Sequence, residues 1–207
     1  MGPPHYALSE ALIVLVALWV ALRFARKRAW LGAAGVAIFG AAAAVGTYRF
    51  ASGHIEALAQ LHRIVSQAGG ACAMALVALQ LALGRTRIAS RGMILGSIAL
   101  SIAMLVASLS LPKAATLLFV LWLIVAIGAA WRLPAEALGQ RARRAALVSL
   151  LLFNFLLVRQ SAVLGPALSW HLFHVLVAVW LLAVWLVLLP SSVARENQNA
   201  ATPMSDM

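Results

Sequence analysis

Long apolar stretches dominate the chain and are separated by short polar segments. Each stretch is of about the length that a helix needs to cross the roughly 30 Å hydrocarbon layer of a membrane. The stretches are continuous and rich in Ala and Leu, whereas the strands of a membrane barrel would alternate between polar and apolar residues. We therefore predict an all-α, polytopic membrane protein with seven transmembrane helices. The predicted spans are 7–23, 29–48, 56–83, 93–111, 114–131, 145–164 and 170–190.

The composition agrees with this architecture. Of the 207 residues, 64% are hydrophobic and 10% are charged, whereas soluble domains have about 45–50% apolar and about 25% charged residues. A soluble domain could not bury so much apolar surface. We expect one transmembrane domain over residues 1–193, followed by a short, disordered cytoplasmic tail over residues 194–207, which is polar and has no apolar period.

Basic residues are divided unequally between the two sides of the predicted bundle. The formal net charge of +11 would suggest a nucleic-acid partner in a soluble protein, but basic loops fix the orientation of a polytopic protein, so we expect no nucleic-acid binding. One side carries Arg23, Arg26, Lys27, Arg28, Arg85, Arg87, Arg91, Arg132, Arg141, Arg143, Arg144 and Arg195. The other side carries Arg49, Arg63, Lys113 and Arg159. This predicts an outer N-terminus and a cytoplasmic C-terminus.

Missing residues exclude several kinds of chemistry. Cys72 is the only cysteine, so an intrachain disulfide and a cysteine-based metal cage are both impossible. A retinal Schiff base would need a lysine in the last span, but the only lysines are Lys27 and Lys113. The P-loop, HExxH and GxSxG motifs are absent. Any functional site must therefore be built from polar residues in or near the spans.

Polar residues at membrane depth collect on the predicted outer side. Such residues are costly in lipid and usually face the protein interior or a water-filled cavity, so each one is a candidate for a functional site. Those of the first three spans are Glu10, Arg49, His54, Glu56, His62, Arg63 and Ser66, and those of the last two are Asn154, Arg159, His171 and His174. We expect them to converge near the outer leaflet.

Some of these residues also have a simpler interpretation. His171 and His174 lie three residues apart, a spacing that suits two ligands of one metal ion, but they can equally anchor a helix end at the membrane interface beside Trp170. Glu10 can be a solvated residue that is favoured by the helix dipole. Arg159 can extend its side chain to the outer headgroups. The sequence leaves these alternatives open.

Three segments resemble a known group of proteins. The segments GTYRFASGH, LHRIVSQAGGACAMALVAL and VRQSAVLGPALSWHLFHVLVAVW are similar to parts of a bacterial group of seven-helix proteins related to the alkaline ceramidases and adiponectin receptors. In the ceramidase-like enzymes, one histidine of span two and two of span seven hold a zinc ion, and the zinc-bound water hydrolyses an amide. The resemblance therefore implies a seven-helix fold and zinc-dependent hydrolysis of a lipid amide or ester.

The resemblance also implies roles for particular residues. His171 and His174 are the expected zinc ligands of span seven, and His54 is the expected third ligand, because Arg49 stands where the family has its span-two histidine. A zinc-bound water becomes a nucleophile because the metal lowers its pKa, and nearby carboxylates can move its protons. The candidate catalytic residues are Glu10, Glu56 and Ser66.

Three functions therefore compete. The first is the binding or transport of a lipid or small ligand, and its ligand-binding residues would be Arg49, Arg63, Asn154 and Arg159. The second is a zinc-dependent hydrolase that acts on a membrane lipid. The third is a b-type haem protein in which His62 faces a histidine of span seven. Membrane lipids are the expected partners.

Overall fold

The computed structural model describes residues 4–84, 88–111, 113–135 and 137–188. Every regular element within these ranges is a helix, and none of the described residues lies in a strand. This confirms the all-α class, and the reason is that a helix in lipid satisfies its own backbone hydrogen bonds. The predicted tail over residues 194–207 lies outside the described residues.

Seven helices follow one another along the described ranges. They are α1 (Tyr6–Arg26), α2 (Trp30–Ala51), α3 (Ala59–Leu83), α4 (Arg91–Ser110), α5 (Ala114–Arg132), α6 (Leu138–Phe153, continued by the π-helical turn Asn154–Val158) and α7 (Pro166–Leu188). Six of the described helices, all but α6, are long and apolar enough to cross a membrane. Helix α6 is more polar because its first turns carry Arg141, Arg143 and Arg144.

The helix ends depart from the predicted spans in the last third of the chain. The sixth span was predicted to reach residue 164, but its helical part ends at Val158. Helix α7 begins at Pro166 rather than at residue 170. Proline is favoured at the first helical position because no partner is needed there for the missing N–H. The connection between α4 and α5 is short, from Ser110 to Ala114.

Six of the helices form a closed ring. Around the ring, α1 packs on α2, α2 on α3, α3 on α5, α5 on α6, α6 on α7, and α7 on α1. Helix α4 lies outside the ring, against α3 and α5, and exposes apolar side chains such as Leu95, Ile98 and Ile102. Exposed apolar surface of this kind suits contact with lipid tails, which are as apolar as leucine.

Small residues of α2 allow its neighbours to approach closely. A Cβ atom added at Gly35 would lie 2.7 Å from the carbonyl oxygen of Ala73 in α3, and one at Gly40 would lie 2.9 Å from the Cβ of Ala17 in α1. Both distances are too short for a real side chain. Glycine at these positions therefore permits the backbone approach that stabilises helix pairs in lipid.

The two ends of the ring differ in character. Successive helices alternate in direction, so the starts of α1, α3, α5 and α7 meet the last turns of α2 and α6 at one end, here called the pocket end. The opposite half, called the core end, is filled by fully buried apolar side chains that include Leu123, Val148 and Trp180. The indole Nε1 of Trp180 donates a hydrogen bond to the carbonyl oxygen of Val148 at 2.9 Å. The core end thus closes the interior of the ring.

Candidate functional site

A cavity of about 500 Å³ lies inside the ring at the pocket end. All six ring helices contribute to its wall, while α4 does not. On α2 the lining extends from Arg49 down to Phe39, which corresponds to about 15 Å along the helix axis. Its base is apolar and includes Ile13, Leu151 and Val177. The cavity therefore has a polar mouth and an apolar interior.

Two π-helical turns lie at the level of this cavity. One covers Val65–Gly69 within α3, and the other covers Asn154–Val158 at the end of α6. Ser66 and Gln67 of the first turn and Phe155 of the second line the cavity. A π-helical turn changes the direction of the side chains that follow it, and such turns occur often at functional sites.

Glu10 is the buried acid of this site. Only 3% of Glu10 is exposed, and its Oε1 lies 3.2 Å from Nε2 of His174 and 3.5 Å from Nε2 of His62. Oε1 is buried and has no hydrogen-bond partner among the described residues. The carboxylate of α1 therefore lies between histidines of α3 and α7 without forming a good hydrogen bond through Oε1.

The contacts of the two Nδ1 atoms indicate which nitrogen of each neutral histidine carries the hydrogen. Nδ1 of His174 lies 2.6 Å from the carbonyl oxygen of Trp170, which can only accept, so Nδ1 carries a hydrogen. Nδ1 of His62 lies 3.3 Å from Nη1 of Arg49, which can only donate, so this Nδ1 accepts. Neutral His62 therefore presents N–H to Glu10, while neutral His174 presents a lone pair.

Gly46 of α2 provides the space for this cluster. A Cβ atom at Gly46 would lie 2.6 Å from Oε1 of Glu10 and 2.9 Å from Nε2 of His62. Any larger residue would displace one of these side chains. The cluster therefore depends on the absence of a side chain at this position.

Three arginines line the cavity near its mouth, namely Arg49, Arg63 and Arg159. Arg49 is held by a 2.7 Å hydrogen bond from its Nε to the carbonyl oxygen of Ile55, and the guanidinium of Arg159 lies 5.0 Å from the ring centroid of Phe173. Within the described ranges, none of the three has a carboxylate within ion-pair distance. These guanidinium groups consequently have donors left for a ligand.

Aromatic rings pack around the buried cluster. Tyr6 stacks on Trp170 with ring centroids 4.9 Å apart and an interplanar angle of 10°. Trp170 in turn contacts the rings of His174 at 4.4 Å and Phe50 at 5.2 Å. Trp170 lines the cavity, and its Nε1 is a buried donor with no hydrogen-bond partner among the described residues. The aromatic packing thus leaves one indole N–H without an acceptor.

Several residues that the sequence analysis selected meet in the cavity, and others lie apart from it. Its wall includes Glu10, Arg49, Arg63, Ser66, Arg159 and His174. Glu56 is exposed in the turn before α3 and does not line it. Asn154 is buried behind the wall, where its amide donates to the carbonyl oxygen of Phe173 at 2.8 Å. His171 faces Ser9, with Nδ1 3.0 Å from Oγ.

The predicted zinc ligands His54, His171 and His174 do not come together in the structure. His54 is exposed, and its Nδ1 lies 2.8 Å from Oγ of Ser52. His171 and His174 contact different partners, although they are three residues apart. No group of three or more His, Cys, Asp or Glu side chains in the described part of the chain is arranged so that it could hold a metal ion. The donors as placed therefore do not fit the zinc site that the resemblance implies.

Sequence reasoning gave too little weight to His62, Trp170 and Gly46. His62 is among the polar residues predicted to converge, but the only role proposed for it is that of a haem ligand, whereas in the structure it is a main partner of Glu10. The available signal was its place at membrane depth, four residues before Ser66 in the same helix. Trp170 and Gly46 gave no such signal, because a tryptophan near a helix end and a glycine in a helix rich in small residues are ordinary in membrane proteins.

No protein-family model, curated protein or solved structure matches this chain. The resemblance to the ceramidase and receptor superfamily therefore stays a prediction that rests on three sequence segments. The geometry of the cavity is consequently the basis for a functional proposal.

Proposed function

We propose that this chain is a membrane protein that binds an anionic ligand, the headgroup of a lipid or a small anion, in the cavity at the pocket end. The observation that carries the proposal is the group of three cavity-lining arginines without carboxylate partners, Arg49, Arg63 and Arg159. Ionisable groups near membrane depth are costly and mark ligand or ion sites. A phosphate or carboxylate would accept hydrogen bonds from several guanidinium groups at once.

The shape of the cavity favours a lipid over a small anion. Below the arginines its lining is apolar and aromatic, with Phe39, Phe119 and Phe155 among the contributing residues. Ligand cavities of this size are commonly apolar with a few polar groups that orient the ligand. An amphiphile with an anionic head at the arginines and a hydrocarbon chain at the base would satisfy both parts.

The distribution of basic residues supports an orientation in which the pocket end faces the outside of a bacterial inner membrane. At the core end the described loops and helix ends carry Arg23, Arg26, Lys27, Arg28, Arg91, Arg132, Arg141, Arg143 and Arg144. The pocket end carries Arg49, Arg63, Lys113 and Arg159. Cytoplasmic loops are enriched in Lys and Arg, so the cavity would be reached from the outer leaflet.

The hydrolase and haem hypotheses have less support from the geometry. Zinc-dependent hydrolysis of a lipid needs ligands that meet, and the three predicted histidines lie in different surroundings. A haem between His62 and His174 would have to occupy the space of Glu10, whose Oε1 lies within 3.5 Å of both Nε2 atoms. Elemental analysis and an absorption spectrum of the purified protein test both: stoichiometric zinc or a haem band would replace the binding proposal.

Anion binding is tested by thermal unfolding in a non-ionic detergent. We expect dodecyl phosphate, and more weakly inorganic phosphate, to raise the unfolding temperature, whereas dodecanol does not. Saturation at about 100 times Kd would add about 2.7 kcal/mol to the free energy of unfolding. Replacement of Arg49 or Arg159 by Gln should raise Kd about tenfold, because each charged hydrogen bond is lost.

The control for these variants is Arg26→Gln, which removes an exposed arginine at the core end. It should leave the stabilisation by dodecyl phosphate unchanged. Equal stabilisation by dodecyl phosphate and dodecanol, or equal losses in Arg26→Gln and Arg159→Gln, would contradict the proposal.

Orientation is tested separately with single cysteines. Ser52→Cys at the pocket end and Gly139→Cys at the core end are both exposed, while native Cys72 is buried. A membrane-impermeant maleimide applied to intact cells should label only the first variant. If the maleimide labelled Gly139→Cys and not Ser52→Cys, the orientation would be the reverse of the one proposed.

A further inference from the structure

We propose that the ligand head is zwitterionic: it carries a protonated amine, which pairs with Glu10, beside the anionic group, which pairs with the arginines. This inference rests on the proposed function and narrows its ligand to the amino-phosphate or amino-acid class. The structural basis is a cavity wall on which Glu10 lies near three arginines that have no carboxylate within ion-pair distance among the described residues.

The first step is the isolation of Glu10. It is the single acidic residue among the described residues that line the cavity, and only 3% of it is exposed. Its Oε1 has no hydrogen-bond partner among the described residues. A buried carboxylate oxygen without a hydrogen-bond partner is costly, so a cationic donor from the ligand would stabilise Glu10.

The second step is that the neighbouring histidines do not remove this deficit when they are neutral. Nε2 of His62 lies 3.5 Å from Oε1 of Glu10, which exceeds the usual 2.7–3.2 Å of such hydrogen bonds. Nε2 of neutral His174 carries a lone pair, since Nδ1 donates to the Trp170 carbonyl.

The third step is the nearness of the cationic side of the cavity. Arg49 contacts one nitrogen of the His62 ring, and Glu10 lies beside the other, so one imidazole ring separates the guanidinium from the carboxylate. The unpaired indole N–H of Trp170 offers a further donor to an anionic group. A small head with an amine and a phosphate or carboxylate a few bonds apart matches this arrangement.

The direct test compares two soluble probes that differ only in the amine, O-phosphoethanolamine and ethyl phosphate. Binding is measured by calorimetry or by thermal shift on the purified, detergent-solubilised full chain. We expect Kd to be about tenfold lower for O-phosphoethanolamine, the effect of one charge-assisted hydrogen bond. Lysophosphatidylethanolamine and lysophosphatidylethanol form the matching lipid pair, because they differ only in the amine, and a preference seen only in this pair identifies a lipid as the source of the head.

The variant Glu10→Gln isolates the role of the carboxylate. It keeps the size of the side chain and removes its charge, so the two phosphates should bind to it with equal affinity. Glu56→Gln is the matched control, because it removes an exposed carboxylate outside the cavity, and it should keep the preference for the amine. The comparison of probes on the native chain needs no variant and remains decisive if Glu10→Gln does not fold.

The outcomes separate this inference from the proposed function. Equal affinity of the native chain for the amine and amine-free probes of both pairs would overturn the zwitterion and leave anion binding intact. A preference that persists in Glu10→Gln would also overturn it. No binding of any phosphate would refute both proposals together.

Discussion

The two ends of the helix ring are built from the same helices but solve different problems. At the core end, Trp180, Leu123 and Val148 are fully buried, and even the indole N–H of Trp180 has an acceptor. At the pocket end, Glu10 Oε1 and Trp170 Nε1 are buried without hydrogen-bond partners, beside a cavity of about 500 Å³. The core end is satisfied within the chain, whereas the pocket end has unmet donors and acceptors that a ligand can meet.

This contrast indicates that the core end stabilises the fold, whereas the pocket end is suited to bind a ligand. Close packing of apolar side chains contributes dispersion and burial at one end, and any void there is costly. Unpaired polar groups at the other end cost stability, and native proteins keep such groups mainly at functional sites. Substitution of matched residues at the two ends tests this division between stabilising and ligand-binding regions.

The largest effect is expected for Trp180→Ala at the core end. The substitution leaves a large void and removes the donor to Val148, so it should lower the free energy of unfolding by about 3–5 kcal/mol. Thermal or denaturant unfolding in detergent measures the change. Trp30→Ala is the control, because Trp30 is 47% exposed, and a loss as large as that of Trp180→Ala would show that the core end is not the packed region.

The next effect is expected for Gly46→Ala at the pocket end. The new Cβ would overlap Glu10 and His62, and overpacking of this kind costs about 1–3 kcal/mol. The variant should also reduce the preference for O-phosphoethanolamine over ethyl phosphate, measured by thermal shift, because Glu10 is displaced. Gly128→Ala in α5 meets no atom within 4 Å and should be neutral or slightly stabilising, since Ala is the better helix former; a comparable loss there would mean that an added methyl group in these helices is destabilising wherever it is placed, and that the cluster is not responsible.

A smaller effect separates arginines of the two ends. Nη1 of Arg144 donates to the carbonyl oxygens of Leu133 and Pro134 at the core end, so Arg144→Gln should cost about 1 kcal/mol of stability and leave phosphate binding unchanged. Arg159→Gln should show the opposite pattern when unfolding and binding are both measured. If the two variants behaved alike, arginines would not divide between structural and ligand-binding roles.

The smallest effects are expected for His54→Ala and Glu56→Gln. Both side chains are exposed at the pocket end and neither lines the cavity, so each change should alter stability by less than about 0.5 kcal/mol. Phosphate affinity should stay unchanged in the same binding assay. A clear loss of binding in either variant would extend the site beyond the cavity wall.

The site could be predicted in its parts but not in its arrangement. The rule that ionisable residues at membrane depth face an interior selected Glu10, Arg49, Arg63, Arg159 and His174, which share the cavity. The same rule also selected residues that lie outside its wall, which are His54, Glu56, Asn154 and His171. The position of a residue within a hydrophobic run predicts its depth in the membrane. It does not predict the rotation of the helix about its axis, which decides whether the side chain faces the cavity.

The span-seven histidines illustrate this limit. A separation of three residues places His171 and His174 on the same face of the helix, but it does not give them a common partner. The neighbours of α7 decide their partners, so that His171 faces Ser9 and His174 faces Glu10, both in α1. The π-helical turns in α3 and α6 also change the direction of the side chains that follow them in these helices, and no pattern in the sequence predicts such turns.

The amino-acid sequence by itself determined that the chain is helical and suited to a membrane, because continuous apolar runs allow no other backbone that satisfies its hydrogen bonds in lipid. Its basic residues also predict an orientation, which awaits the labelling experiment. Only the tertiary structure decided that six helices close into a ring, that Gly46 makes room for Glu10 between two histidines, and that three arginines share its cavity. Those contacts depend on packing between helices that are far apart in the chain. Such packing is decided by how the surfaces of several helices fit together, and a single apolar segment of the sequence does not contain that information.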